Sequence, residues 1–279
     1  MSAAVRIEVP AAGAASLEGK GLFEGMGDVV FSSTVAADGL LLLWVDRDDL
    51  ADALSRLGSL GAVGLRTFDE APRDWVAESA ALRKAVTVGR YLLDPHDGAL
   101  ATPPAPSQRR LFLPAARAFG TGSHESTRLA LRLLAAEDLR GKRVLDVGCG
   151  TGTLAFVASL EGAARAVAFD LDVDAALATR EQGRTNGIAR LDVFAGPLEA
   201  LGRGVRFDVI VTNMIQEEVA PLLAGLRTRL VRAGRLLVSG QLVERRTEWD
   251  ELLRTNGFSP VRSMIENEWL GTAWVPSNE

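Results

Sequence analysis

The stretch Val144–Gly152, VLDVGCGTG, decides the fold. A short apolar strand runs to Asp146, glycines follow at Gly148, Gly150 and Gly152, and a helix opens near Thr153. Glycine lets the chain bend sharply and lets a ligand reach main-chain atoms with no Cβ in the way. The G-x-G-x-G spacing, with an acid two residues ahead, differs from the G-x-G-x-x-G turn that seats a pyrophosphate on a helix N-terminus. A carboxylate there would repel a pyrophosphate, whereas Asp146 can accept from a cationic amino group or orient the turn's own amides. Twenty-two residues after Gly148, Asp170 closes the next strand in AVAFDLD, where a doubly wound sheet places an acceptor for ribose hydroxyls. The ligand so described carries a ribose and an amino or sulfonium cation; S-adenosylmethionine meets that description and a dinucleotide meets only the ribose part.

Outward from this turn, from about residue 108, short apolar runs alternate with helical stretches. The runs are RVLDVG, RAVAFD, LDVFAG, FDVIVTN and RLLVSGQ; the helical stretches are TLAFVASLEG, VDAALATREQGRTNG and EEVAPLLAGLRTRLVRAG. Continuous apolar strands separated by helices imply a parallel sheet covered on both faces. The tail FSPVRSMIENEWLGTAWVPS reads as an antiparallel hairpin turning around Gly271. Residues 1–66 read as a small α+β domain with strands VRIEV and GLLLLWV and a helix RDDLADALSRLGSL, whose apolar positions recur at three and four. This segment carries nine acidic against five basic residues, a net of −4, which suits a solvated surface or a face that docks a basic protein. Residues 67–107 read as a connector: a helical PRDWVAESAALRKAV with Trp75 as a packing residue, a strand TVGRYLLD and a Pro-rich LATPPAPSQ that stiffens the path.

Composition excludes several classes. At 279 residues and 47% apolar content the chain has material for two domains, and its formal charge of −5 argues against a bare polyanion as partner, so no direct nucleic acid contact is expected. The single cysteine, Cys149, rules out an internal disulfide, and the two histidines show no metal-ligand spacing, so no metal is expected. Cys149 reads as a packing residue, because neighbouring Asp146 denies it the basic surroundings of a reactive thiol. The first ten residues, MSAAVRIEVP, lack a signal pattern and the longest apolar run is far short of a membrane span, which makes a cytoplasmic monomer without membrane contact the expectation.

A second polar loop, RAFGTGSHESTRLAL (Arg117–Leu131), lies just upstream of the glycine turn, and the pair suggests one ligand gripped from two sides. Amino-methyltransferases acting on adenine or glutamine commonly carry an Asn/Asp-Pro-Pro-aromatic motif at the fourth strand. This chain has TNMIQ, which keeps the carboxamide of Asn213 to donate and accept but lacks the proline turn and stacking aromatic, so a planar substrate is disfavoured.

With both loops read, the chain resembles the ribosomal protein L11 methyltransferase family over roughly residues 74–279. AFGTGSHEST (Ala118–Thr127) matches the family's A-F-G-T-G-x-H-x-T-T segment, and LDVGCGTGTLAFVASLEGA, AFDLDVDAALATREQGRTNGI and the stretch from VTNMIQ to SGQL match beside it. The resemblance implies a Rossmann-like seven-stranded class I methyltransferase sheet over 108–279, S-adenosylmethionine as cofactor, and ribosomal protein L11 as a substrate methylated on lysine or N-terminal amines. It places cofactor contacts on Thr127, Gly148, Asp170 and Asn213, to which the turn itself adds Asp146, Gly150 and Gly152. It makes Phe119, Gly120, Thr121, Gly122 and His124 a loop folding over the methionine end, with the next helix starting near Ser126. Asn213, Phe119 and His124 are the expected catalytic group, with Met214 and Phe119 forming an amine pocket and His124 read as a loop-orienting residue or a general base.

Departures from the family are Ser126 for a threonine and Asn213-Met214-Ile215, followed by Gln216 and two glutamates, for Asn-Ile-Leu. Glu217 and Glu218 read as helix N-terminal acids, with reception of a substrate lysine as the second reading. Three alternatives stay open: another protein or a small amine as target, a non-catalytic cofactor-binding module, and, disfavoured by the glycine spacing, a dinucleotide oxidoreductase.

Overall fold

The computed structural model describes residues 4–10, 30–35, 41–69, 85–96, 105, 107–114 and 124–277. The helical reading of 72–84, Trp75, most of the Pro-rich stretch, and Phe119, Gly120, Thr121 and Gly122 lie outside the described residues. Contacts divide the chain into two compact units, Met1–Glu78 and Ser79–Glu279.

In the first unit, strands β1 (Ala4–Val9), β2 (Val30–Val35), β3 (Leu41–Asp46) and β4 (Arg66–Asp69) form an antiparallel sheet in the order β2-β3-β1-β4, with helix α1 (Leu50–Ser59) between β3 and β4. Alternation sets its core: Val5, Ile7 and Val9 of β1 and Leu41, Leu43 and Val45 of β3 share one face. Ala53 and Leu57 of α1 close over that face.

The second unit begins with a three-stranded sheet of β5 (Val86–Val88), β6 (Tyr91–Asp94) and β7 (Arg109–Phe112). The residues read as a connector thus supply β4 of the first unit and β5 and β6 of the second. Asn186 fastens β7 to the rest of the second unit, its Oδ1 accepting from the Phe112 N–H at 2.7 Å and its Nδ2 donating to the Phe112 carbonyl at 2.8 Å.

After these come α2 (Glu125–Ala135), β8 (Arg143–Val147), α3 (Thr153–Leu160), β9 (Arg165–Asp170), α4 (Val173–Thr185), β10 (Leu191–Ala195) and β11 (Phe207–Asn213). The chain continues through α5 (Gln216–Val219), α6 (Leu223–Arg229), β12 (Leu230–Leu242), α7 (Arg246–Thr255), β13 (Phe258–Glu266) and β14 (Trp269–Pro276). These strands make a seven-stranded sheet ordered β10-β9-β8-β11-β12-β14-β13. The first five run parallel and the terminal hairpin antiparallel, in the α/β class I methyltransferase arrangement expected from the resemblance.

Because side chains alternate across a strand, neighbours in sequence feed different cores. Val144, Val209, Val211, Leu237 and Ala273 point into a core shared with α2 and α3. Leu145, Ile210, Leu236, Val238 and Trp274 point into the opposite one, with Leu226 of α6 and Trp249 and Leu253 of α7. Since β8, first of the parallel strands in the chain, lies between β9 and β11, the order reverses beside it, and a crevice opens at the carboxyl ends of these strands.

Two expectations need correction. The helix read through Gly234 ends at Arg229, and Leu230 starts β12 opposite Phe207. The buried Arg229 guanidinium donates to the carbonyls of Leu201 and Gly202 at 2.8 and 2.6 Å, anchoring the helix end there, while the Leu230 side chain enters the core. The hairpin turns at Asn267–Glu268, not at Gly271: Asn267 takes φ of 53° and Glu266 pairs with Trp269. Gly271 sits inside β14, where a Cβ would lie 3.2 Å from both Leu129 and Leu133 of α2. Its lack of a side chain serves close helix–strand packing instead of a bend.

Candidate functional site

At the carboxyl end of β8 the three glycines all adopt positive φ: 66° at Gly148, 52° at Gly150 and 77° at Gly152. Space is as restrictive as backbone. A Cβ on Gly152 would meet Thr179 Cγ2 at 2.6 Å and the Phe156 ring at 2.8 Å, while one on Gly148 would displace the flexible end of Met214. The Gly150 N–H donates to Asp170 Oδ2 at 2.9 Å, and the Asp172 N–H to Asp170 Oδ1 at 3.0 Å. Asp170, half-buried at the end of β9, is therefore aimed by two backbone donors, and each oxygen keeps a further lone pair for a ligand.

Asp146 lies beneath the turn, 1% exposed. Its Oδ2 accepts from the Ala155 N–H at 3.0 Å, and its Oδ1 has no hydrogen-bond partner among the described residues. Burial pushes the Asp146 carboxyl up to about 7; the Ala155 N–H opposes this and the neighbouring charge of Asp170 adds to it. Cys149 is buried, with its Sγ 3.6 Å from Thr179 Oγ1, and burial raises its thiol far above the ordinary range, as suits a packing residue.

Across the crevice, Asn213 ends β11 and its Nδ2 donates to Thr127 Oγ1 of α2 at 3.2 Å. That bond fixes the carboxamide so that Oδ1, buried and without a partner among the described residues, is the acceptor presented. The chain neighbours of both residues are held from β12. Ser239 Oγ donates to the Ser126 carbonyl at 2.8 Å and Gln241 Nε2 to the Met214 carbonyl at 2.7 Å. Between them Gly240, at φ 88°, passes so close to Met214 that a Cβ would lie 2.7 Å from its carbonyl oxygen.

His124 is the N-cap of α2. Its Nδ1 accepts from the Ser126 N–H at 3.3 Å and lies 2.8 Å from Ser126 Oγ, so the neutral ring carries its proton on Nε2. Its ring meets Trp269 edge-on at a centroid distance of 4.6 Å. Glu217 and Glu218 lie in the first turn of α5; Glu217 pairs with Arg245, which also holds Glu248. Among the described residues, no group of three metal-ligating side chains gathers, and no helix is long and apolar enough to cross a membrane.

The structure thus brings Thr127, Asp146, Gly148, Gly150, Gly152, Asp170 and Asn213 to one edge of the sheet, with His124 at the start of the helix that carries Thr127. Thr179, Ser239 and Gln241 were not legible in the sequence. They act through hydrogen bonds to backbone carbonyls across long separations, which leave no local signal.

Comparison with known proteins gives a consistent result. The family model for ribosomal protein L11 methyltransferase (PrmA) matches residues 34–274. A ribosomal protein L11 methyltransferase of Deinococcus radiodurans is 33% identical, the match covering 74% of this chain and 77% of that protein. One of Trichlorobacter lovleyi is also 33% identical, over 72% of this chain and 66% of its own length. Matches to two further relatives span 56% and 49% of those proteins, so against several of them the chain covers only about half to two thirds of their length. Among solved structures, the ribosomal protein L11 methylase of Lactobacillus delbrueckii subsp. bulgaricus superposes with a TM-score of 0.63 at 25% identity, covering 70% of this chain and all of that one.

Proposed function

Since the chain belongs to the ribosomal protein L11 methyltransferase family, we propose that it transfers methyl groups from S-adenosylmethionine to lysine or N-terminal amines of ribosomal protein L11. The observation that carries this reading is Asp170, a carboxylate whose two oxygens are aimed by the Gly150 and Asp172 amides at the switch point of the sheet.

The residues present suit the cofactor. Asp170 would hold the ribose, the backbone of Gly148–Gly152 would lie along the methionine portion, and the orphan oxygen of Asp146 is an acceptor that an ammonium group would fill. When bound, S-adenosylmethionine supplies a methyl carbon activated by an adjacent sulfonium.

The chain's own task is alignment and desolvation. Thr127 orients Asn213 so that its Oδ1 accepts an N–H from an incoming amine. A lysine amine has an ordinary pKa near 10.4 and attacks only as the free base. Apolar surroundings supplied by Met214 favour that neutral form, and the sequence offers Phe119, outside the described residues, for the same role. His124, with Nδ1 committed to the helix cap, acts by placing the helix that carries Thr127.

The net charge of −4 over residues 1–66 suits a domain that recruits a basic protein, with 108–279 as the catalytic domain. The overall charge of −5 suits a protein substrate over nucleic acid, and the proposed enzyme is a monomer that meets this substrate in the cytoplasm. Incubation with methyl-labelled cofactor and separated ribosomal proteins tests the reading. Label in L11, reduced at least a hundredfold by Asn213→Ala, is the expected result; label in a different protein, or an unaffected Asn213→Ala variant, would overturn it.

A further inference from the structure

Thr179 lies fully buried in the middle of α4, outside every residue assigned above to the cofactor. Its hydroxyl donates to the Gly150 carbonyl at 2.7 Å, across 29 residues of sequence. Its methyl fills the space where a Cβ of Gly152 would stand, and Cys149 Sγ packs on the same hydroxyl. One side chain thus meets the turn at Cys149, Gly150 and Gly152, a turn whose glycines are the most conformationally free residues of the site.

The contact leads directly to the sugar-binding carboxylate. Thr179 fixes the peptide on the carbonyl side of Gly150, and the N–H of the same residue holds Asp170 Oδ2. The other oxygen, Oδ1, is held by the N–H of Asp172, the N-cap of the same helix. Helix α4 therefore sets both oxygens of Asp170, one from its cap and the other through Thr179 and the turn.

We propose that Thr179 is a positioning residue for nucleoside binding: its hydroxyl pre-organises the Gly150 turn and, through it, the Asp170 carboxylate. This rests on the reading of Asp170 as the ribose acceptor. Without the hydroxyl, the Gly150 carbonyl loses its side-chain partner, and the turn must be ordered again whenever a ligand binds.

Thr179→Val keeps the shape and removes the hydrogen bond, whereas Thr179→Ser keeps the bond and removes the methyl. Calorimetric titration with S-adenosylhomocysteine is expected to show about tenfold weaker binding for the Val variant, the effect of one lost hydrogen bond. The Ser variant is expected to stay within about twofold of the parent. With L11 as acceptor, the Val variant raises the cofactor KM and leaves kcat unchanged, and its Gly150 amide exchanges hydrogen faster than the parent's. Should the Val variant not fold, Thr179→Ala against Thr179→Ser makes the same comparison. Equal binding by the parent and the hydroxyl-free variant overturns the proposal, as does a Ser variant as weak as the Val variant, which would assign the effect to methyl packing. A parent protein that shows no saturable heat overturns the reading of the site itself, and the proposal with it.

Discussion

Replacing Asp146 by Asn removes a charge that the fold holds out of water. The carboxyl is 1% exposed, one oxygen lacks a partner among the described residues, and burial raises its pKa from an ordinary 3.8 to about 7 against the pull of the Ala155 N–H. Between these two values the folded protein binds a proton that the unfolded chain does not, so this group's contribution to stability falls as pH rises from 4 to 7. Below pH 4 both states are protonated; above 7 both are ionised and the full cost remains. At 1.36 kcal/mol per pH unit, a shift of about three units amounts to roughly 4 kcal/mol. Asn is neutral throughout and still accepts from the Ala155 N–H, and any fixed cost of burying its amide does not change with pH.

Urea denaturation of parent and Asp146→Asn between pH 4 and 8 is therefore expected to show stabilities that diverge in favour of the variant. The divergence reaches a few kcal/mol by pH 8, or about 10 °C in Tm for a unit of this size. Two curves that stay parallel across that range would mean that Asp146 ionises in the fold as it does in water, and the account of a charge buried beneath the turn would be refuted.

Gly240→Ala should cost about 3 kcal/mol or more, because φ is 88° and the new Cβ would meet the Met214 backbone at 2.7 Å; a loss below 0.5 kcal/mol on denaturant titration would contradict that geometry. His124→Ala should lose about 1 kcal/mol of stability with the cap of α2, and His124→Asn should recover most of it; equal melting of the two variants would remove the capping role. Asn186→Ala strands both polar groups of Phe112 and should cost about 2–3 kcal/mol. Hydrogen exchange in β7 is expected to accelerate in that variant, and unchanged protection there would show that β7 is held by other means.

The glycine turn was legible because its function is written in backbone requirements: three positive φ values admit little besides glycine, and the strand before and helix after it have clear periods. Asp170 was legible for a related reason, being a lone acid at the end of an apolar strand. Gly271 misled because glycine serves sharp bends and close packing equally, and only the position of α2 over β14 separates the two. Leu230–Gly234 misled because LVRAG continues a helical rhythm that ends only where buried Arg229 reaches two distant carbonyls. Thr179, Ser239 and Gln241 carry no periodic signal at all, since a single hydrogen bond to a backbone atom 27 to 113 residues away leaves no trace in local composition.

The most direct measurement is a crystal structure grown with S-adenosylhomocysteine. The nucleoside is expected across the carboxyl ends of β8, β9 and β11, its ribose hydroxyls donating to Asp170 and its amino acid portion beside Gly148 and Asn213. A nucleoside bound at any other place, or one whose sugar makes no contact with Asp170, would contradict that expectation.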